Sequence, residues 1–286
     1  MREHSDRDIP QAGGLFVSRL LCPCKERFFA LEYLSDGKQN ERVERMNAVN
    51  YQRELERILA QLKAEGRRPS LLLHSCCAPC SSYCLEYLSS FFAITVYYYN
   101  PNITSEEEYA RRKEEQKRLI QEFPTVSFRE GPYDRESFYE MAKGLEQVPE
   151  GGERCFRCYE LRLRQAVRQA REGGFDYVTT TLSISPLKNA QKLNEIGRRL
   201  SQEQGISWLP GDFKKRDGYK RSLQLSAQYG LYRQNYCGCE YSRKEAEKRQ
   251  RRAEAERDVI TENREGEGFT AENRSETKGR QGDDSR

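Results

Sequence analysis

Four short runs rich in apolar, β-branched or aromatic residues alternate along the chain with stretches whose apolar residues recur at helical spacing. The runs are SLLLHS at 70–75, AITVYYYN at 93–100, TVSFRE at 125–130 and FDYVTTTL at 175–182. Between them lie the segments CSSYCLEYLSSFF, SEEEYARRKEEQKRLIQEF, RESFYEMAKGL and ERCFRCYELRLRQAVRQAREGG, which read as helices. A helix over about 47–66 precedes the first strand, with Tyr51, Leu55, Ile58, Leu59 and Leu62 on one face. Another, over about 188–203, follows the last, with Leu193, Ile196 and Leu200 on one face. Strands that alternate with crossover helices form a parallel sheet covered on both sides. The expectation is one doubly wound α/β domain over about residues 68–245, led by the helix at 46–67. Residues 217–245 read as mixed.

In such sheets, sites form beyond the carboxyl ends of the strands. After the first strand, where a glycine-rich phosphate loop often stands, this chain has His74-Ser75-Cys76-Cys77-Ala78-Pro79-Cys80. Two further thiol groups follow: Cys155-Phe156-Arg157-Cys158 at a helix start, and Cys237-Gly238-Cys239 near the end of the domain. A C-x-x-C over one helical turn directs both sulfurs to one centre. Its place at a helix N-terminus, beside Arg154 and Arg157, is expected to favour the thiolate that ligates metal. Together with Cys76 and Cys77 it makes four soft ligands, enough for zinc or for an iron–sulfur cluster; spacing does not choose between them. Cys237 and Cys239 are separated by one residue, so a disulfide between them is strained and easily reduced. That suits a redox pair, and two more metal ligands or idle thiols are the competing readings. Cys80 shares the first loop and is a candidate further ligand. Cys84 reads as core, His74 as a residue that satisfies local backbone or lines the site, and Cys22 and Cys24 carry no assigned role.

Composition bounds the rest. Of the 286 residues, 33% are charged and 36% hydrophobic, and the polarity is concentrated at the ends. Residues 1–45 show no sustained periodicity, and residues 251–286 hold six apolar side chains in 36, too few to offset ordering entropy. A disordered arm over 1–45 and a charged, largely disordered tail over 246–286 are expected. Residues 251–286 carry −2 of the +4 net charge, leaving a mild +6 on residues 1–250. That is compatible with a nucleic-acid partner, and equally with a solvated mixed-charge surface. No membrane span or signal-peptide pattern is visible. A cytoplasmic protein is expected, in a compartment that disfavours structural disulfides.

HSCCAPC, ERCFRCYELRL, TTTLSISPLKN, FKKRDGYKRS and YRQNYCGCEYS, in that order, resemble epoxyqueuosine reductase of the QueH type over about residues 68–245. The resemblance implies a Rossmann-like domain similar to adenine-nucleotide hydrolase-like folds. It implies reduction of epoxyqueuosine to queuosine at the tRNA wobble position, the last step of queuosine synthesis. It makes Cys76, Cys77, Cys155 and Cys158 ligands of a [4Fe–4S] cluster, and Cys237 and Cys239 a redox-active disulfide. An additional mononuclear iron, with Cys80 as a ligand, is compatible with it. The partners implied are tRNA carrying epoxyqueuosine and an electron donor that the sequence does not identify, with no membrane.

For the substrate, Lys188, Lys215, Arg216, Tyr219 and Arg221 are the candidates. The basic run with its tyrosine suits phosphate contacts and stacking, or a solvated loop. Lys188, with Ser185, contacts substrate or caps the following helix. Two rival functions are a tRNA sulfur-transfer enzyme of the ATP-pyrophosphatase class and a zinc-stabilised RNA-binding module. The first expects an S-G-G-x-D-S loop, which HSCCAPCSS does not provide.

Overall fold

The computed structural model describes residues 49–257. Five parallel strands form one sheet: β1 (Ser70–Ser75), β2 (Ala93–Tyr98), β3 (Ser127–Glu130), β4 (Tyr177–Thr180) and β5 (Ser207–Trp208), in the order β3-β2-β1-β4-β5. The helices are α1 (Tyr51–Ala64), α2 (Ala78–Leu88), α3 (Glu106–Ile120), α4 (Arg135–Ala142), α5 (Glu153–Glu172), α6 (Ala190–Gln204), α7 (Gly218–Gln228) and α8 (residues 240–257). A 3₁₀ turn, Thr181–Ile184, follows β4. Among the described residues no helix is long and apolar enough to cross a membrane.

The period of two along β1 distributes its leucines between two cores. Leu71 and Leu73, with Ile94 and Val96 of β2, pack on one side against Leu55 and Leu59 of α1, Leu85 and Leu88 of α2 and Leu225 of α7. Leu72 faces the other side, with Tyr97, Tyr99 and Val178, against Leu163 and Val167 of α5 and Leu193 and Leu200 of α6. Each fully buried leucine contributes about 1.5–3 kcal/mol, so β1 is held from both faces. The tyrosines of β2 alternate as expected. Tyr97 and Tyr99 stack at 6.2 Å on one face, while Tyr98 packs edge-on against Tyr109 at 5.2 Å. On the outer strand β5, Trp208 lies over Gly197 of α6, where a Cβ would come within 2.4 Å of the indole. Its Nε1 donates to Asn194 Oδ1 at 3.1 Å.

Helix starts follow local chemistry. Asn50, Ser105, Asp134 and Asn189 each accept a backbone N–H three residues on, satisfying donors that the first helical turn leaves open. The helix expected over about 47–66 is ordered as α1 from Tyr51 to Ala64. The mixed region 217–245 contains α7 and the start of α8, and α8 runs across the expected domain end at 245 to residue 257. It is anchored by buried Ser242 and Ala246. The expected arm at 1–45, Cys22 and Cys24, and the tail beyond 257 lie outside the described residues.

The topology positions the site. From β1 the chain winds outward to β2 and β3, then returns to place β4 on the other side of β1. The loops leaving β1 and β4 therefore diverge, and open a crevice at the carboxyl end of the sheet. One carries Cys76, Cys77 and Cys80; the other carries Ser185 and Lys188.

Candidate active site

The first cysteine loop is built by β1 ending and α2 beginning within two residues. Cys77 is the extended N-cap of α2, and Pro79 stands in its first turn, where the missing N–H costs no helical bond. Ser75 Oγ lies 2.6 Å from Ser81 Oγ, and both hydroxyls donate to Gln116 Oε1, at 2.7 and 2.8 Å. Asn100 Nδ2 donates to the Ser75 carbonyl at 2.9 Å. So held, the Sγ atoms of Cys76, Cys77 and Cys80 all lie within 4.8 Å of one another, with Cys76 and Cys77 3.7 Å apart.

His74, fully buried, supports this loop rather than joining it. Its Nε2 donates to the Tyr99 carbonyl at 3.0 Å, and Nδ1, 2.8 Å from Thr180 Oγ1, accepts from that hydroxyl. Burial and the Arg162 charge hold its pKa down to about 3, so the imidazole is neutral. The thiols beside it share protons unevenly. Hydrogen bonds from Cys77 and Cys80 pull Cys76 well below the usual thiol range, with Arg162 and Lys188 adding to the effect. As donors to Cys76, Cys77 is pushed up to about 12 and Cys80 is raised well above its ordinary value.

Cys155 and Cys158 occupy the first two turns of α5. The expectation that the helix start and its arginines favour their thiolates is not met. Burial raises Cys155 and pushes Cys158 up to about 12. The arginines are engaged elsewhere. Arg154 donates to the carbonyls of Leu145, Glu146 and Val148 and lies over the Tyr241 ring at 4.3 Å. Arg157 is exposed and pairs with Glu153 at 3.0 Å.

The third thiol pair is pinned from below. Buried Arg112, paired with Glu108 at 2.6 Å, donates through Nη1 to the Cys237 carbonyl at 2.9 Å. Thr104 N donates to the Gly238 carbonyl at 3.2 Å. Gly238 has φ +129°, and a Cβ there would meet Ile103 Cγ1 at 2.8 Å. Cys239 is buried, its Sγ accepts from Ser242 N at 3.4 Å, and burial pushes it up to about 11. Cys237 and Cys239 are free thiols in this structure.

Two cavities meet over these groups. A cleft of about 240 Å³ is lined by Cys76, Cys80, Ser185, Tyr219, Gln234 and Cys237, among others. A narrow cavity of about 20 Å³, room for little more than a water, is lined by Cys155, Cys158, Cys237, Cys239 and Tyr159, among others. Cys237, Lys188, Leu187 and Glu150 line both. Six of the eight described cysteines thus line these two cavities, Cys77 lies buried beside Cys76 and Cys80, and Cys84 is core as expected. The structure draws Cys80 in with Cys76 and Cys77, and sets Cys155 and Cys158 in one cavity with Cys237 and Cys239.

Of the substrate candidates, Lys188 and Tyr219 line the cleft and Lys215, Arg216 and Arg221 do not. Arg216 pairs with Glu56 at 2.9 Å and Arg221 with Glu86 at 2.6 Å, while Lys215 is exposed. Sequence reasoning quoted the 233–236 segment of the cleft wall within YRQNYCGCEYS but gave its polar residues no role. It also passed over Arg162 and Asn100, although Arg162 stands one turn after Cys158 on the same helix face.

The donor set fits a sulfur-ligated metal. Three soft ligands lie together, and the charges around them are positive. Burial opposes the ammonium of part-exposed Lys188, but the acidic groups of Cys237, Cys76, Tyr159 and Cys80 outweigh it and raise its pKa. Arg162 is fully buried, and its Nε and Nη1 meet no oxygen or nitrogen acceptor. Such a setting favours an anionic centre over an uncharged pocket.

Comparison with known proteins finds relatives across this region. The family model for epoxyqueuosine reductase QueH matches residues 71–245. An epoxyqueuosine reductase QueH of Staphylococcus epidermidis is 42% identical over 201 residues, covering 68% of this chain and 84% of that one. One of Streptococcus pyogenes is 43% identical over 201 residues, 68% and 79% of the two chains. One of Thermotoga maritima is 33% identical over 194 residues, 66% and 96%. The matched span contains the sulfur-lined crevice and both strand-end loops that build it, and on this ground the chain belongs to the epoxyqueuosine reductase QueH family, a family of oxidoreductases.

Proposed function

We propose that this protein reduces the epoxide of epoxyqueuosine, at the wobble position of tRNA in the cytoplasm, to the alkene of queuosine. The observation that carries the reading is the convergence of six cysteines and Lys188 on two adjoining cavities at the switch point of the sheet, with Cys77 directly beside Cys76 and Cys80. Cys76, Cys77, Cys155 and Cys158 are assigned as the holders of a [4Fe–4S] cluster, and Cys80 as a ligand for an additional iron. A bound cluster supplies single-electron transfer.

The chain's own groups account for the remainder. Removing the epoxide oxygen as water needs two electrons and two protons, and the thiols of Cys237 and Cys239 hold both. When the two C–O bonds break and the alkene forms, the dithiol is oxidised to a disulfide and its two protons leave with the oxygen as water. A thiol reductant or one-electron carrier then regenerates the dithiol. The Lys188 ammonium, lining both cavities, holds the departing oxygen by charge and hydrogen bond. Tyr219 of the cleft wall offers a ring for the base.

Anaerobic iron and sulfide analysis, joined to an epoxide-reduction assay on tRNA bearing epoxyqueuosine, tests the assignment. Serine at any of Cys76, Cys77, Cys155 or Cys158 is expected to lower iron and sulfide. Cys237→Ser or Cys239→Ser is expected to keep both and lose multiple turnover. Full metal in all four single variants, or normal turnover in both of the others, overturns the corresponding half. Zinc without sulfide in the wild type overturns the cluster and favours a zinc-stabilised RNA-binding module.

A further inference from the structure

Among the described residues, Arg162 is a fully buried guanidinium that no carboxylate meets. It lies on α5 one turn after Cys158 and is fully buried. A guanidinium stays protonated at any ordinary pH, so its burial leaves a charge that something must balance. Nη2 donates to Asn100 Oδ1 at 2.6 Å, and the rest of the guanidinium meets the Cys158 thiol rather than any oxygen or nitrogen acceptor. Arg112, equally buried, shows the contrast, because Glu108 meets it at 2.6 Å. The acidic groups that bear on Arg162 are all sulfurs, those of Cys158, Cys76 and Cys237. They belong to the three separate thiol groups of the crevice.

The same side chain is tied mechanically to the first cysteine loop. Asn100, its hydrogen-bond acceptor, donates to the carbonyl of Ser75, the residue before Cys76. A chain of two hydrogen bonds therefore joins the Cys158 turn of α5 to the loop after β1, through the end of β2.

We infer that Arg162 is a positioning residue for the cluster, whose fixed charge balances the sulfur site and raises its reduction potential. The inference rests on the cluster reading above. Adding one electron makes a thiolate-held cluster more negative, and a buried cation that water does not screen stabilises the reduced state more than the oxidised one. Cysteine ligation alone does not require this residue; a glutamine fits the same space without the charge.

Potentiometric titration of the full-length, anaerobically loaded protein, followed by visible absorption and electron paramagnetic resonance, tests it. Arg162→Gln is expected to retain iron and sulfide and to be harder to reduce. The reduced-to-oxidised ratio at a fixed potential should fall by about tenfold or more, which is 59 mV for a one-electron couple. Arg162→Lys keeps the charge and is expected to restore the wild-type ratio. A loaded Arg162→Gln protein with unchanged potential overturns the inference, as does an Arg162→Lys protein shifted as far as the glutamine variant. Should the glutamine variant not accumulate loaded, rescue by lysine supports the role of charge, and failure of both overturns it. Zinc without sulfide in the wild type removes the cluster reading and this inference together. A wild-type cluster with no shift in Arg162→Gln removes this inference alone.

Discussion

Gly238 stands between the two thiols proposed to carry the reducing equivalents, at φ +129° and with Ile103, Arg112 and Asn102 packed where a side chain would begin. Both facts weigh against any other residue. A non-glycine residue in this backbone region costs about 1–3 kcal/mol, and the Cβ would force Ile103 aside. Gly238→Ala is therefore expected to destabilise the protein by at least about 1–3 kcal/mol in a denaturant titration. It is also expected to lower turnover more than iron content, because the Cys237–Cys239 segment is displaced and the Cys76 loop is not. The cysteine pair was legible from its spacing, but the glycine's necessity was not, since it depends on Ile103, a residue 135 positions earlier. Arg162 was hidden for a similar reason. One arginine among several on α5 reads as surface until its burial is seen.

At the level of elements, the strands that the sequence reveals are those with runs of β-branched and aromatic residues. The two-residue β5 has no such run and emerges from its parallel pairing with β4, Ser207 opposite Tyr177 and Trp208 opposite Val178, with Leu209 N donating to the Val178 carbonyl at 2.9 Å as the strand leaves the sheet. Helix α7 opens with Gly218 and carries serines, so its helical period is muted in the sequence. The seam between β1 and β4 shows what ties two elements more than a hundred residues apart. Asp176 Oδ2 accepts from Ser70 N at 2.8 Å and from Ser70 Oγ at 2.7 Å, and Asp176 N donates back to that hydroxyl at 2.9 Å. These bonds hold the Asp176 carboxyl below its ordinary 3.8. A carboxylate with a depressed folded pKa stabilises the fold fully above its unfolded pKa, and the contribution is lost as pH falls through the folded value. Asp176→Ala is expected to cost about 0.5–1 kcal/mol near neutrality, the low end for hydrogen bonds at an exposed site. The difference from wild type should shrink below pH 3.8. Urea midpoints measured across that range check both statements.

On the scale of the molecule, fold class and the location of the crevice followed from strand–helix alternation, whereas strand order did not. Nothing in a linear pattern says that β4 returns to the inner side of β1. The basic run at 214–221 looked like one phosphate-binding patch, and the folded chain divides it. Lys214 pairs with Asp212 at 2.8 Å, and Arg216 and Arg221 are matched by glutamates of α1 and α2. Lys215 and Lys220 are the exposed lysines of the run, near Tyr219 of the cleft wall. Replacing both with alanine is expected to weaken tRNA binding and to make its salt dependence shallower by about 0.7 per lysine in log–log slope, the value for single-stranded contacts. Affinities measured over a series of salt concentrations decide it, and an unchanged slope moves the tRNA surface elsewhere.

The crevice is assembled from segments that begin at Cys76 and end at Cys239, and this imposes an order in time. On the ribosome Cys76, Cys77 and Cys80, the first three thiols of the crevice, leave the exit tunnel together, next to a β1 strand whose neighbour β4 has not yet been made. At about 5–20 residues per second, roughly 8–30 s separate the synthesis of Cys76 from that of Cys239. For about the first half of that interval Arg162 has not been made, and until its end the 233–239 segment is incomplete. A centre held by both Cys76–Cys77 and Cys155–Cys158 forms only after the later pair is made, and until then the early thiols are open to oxidation.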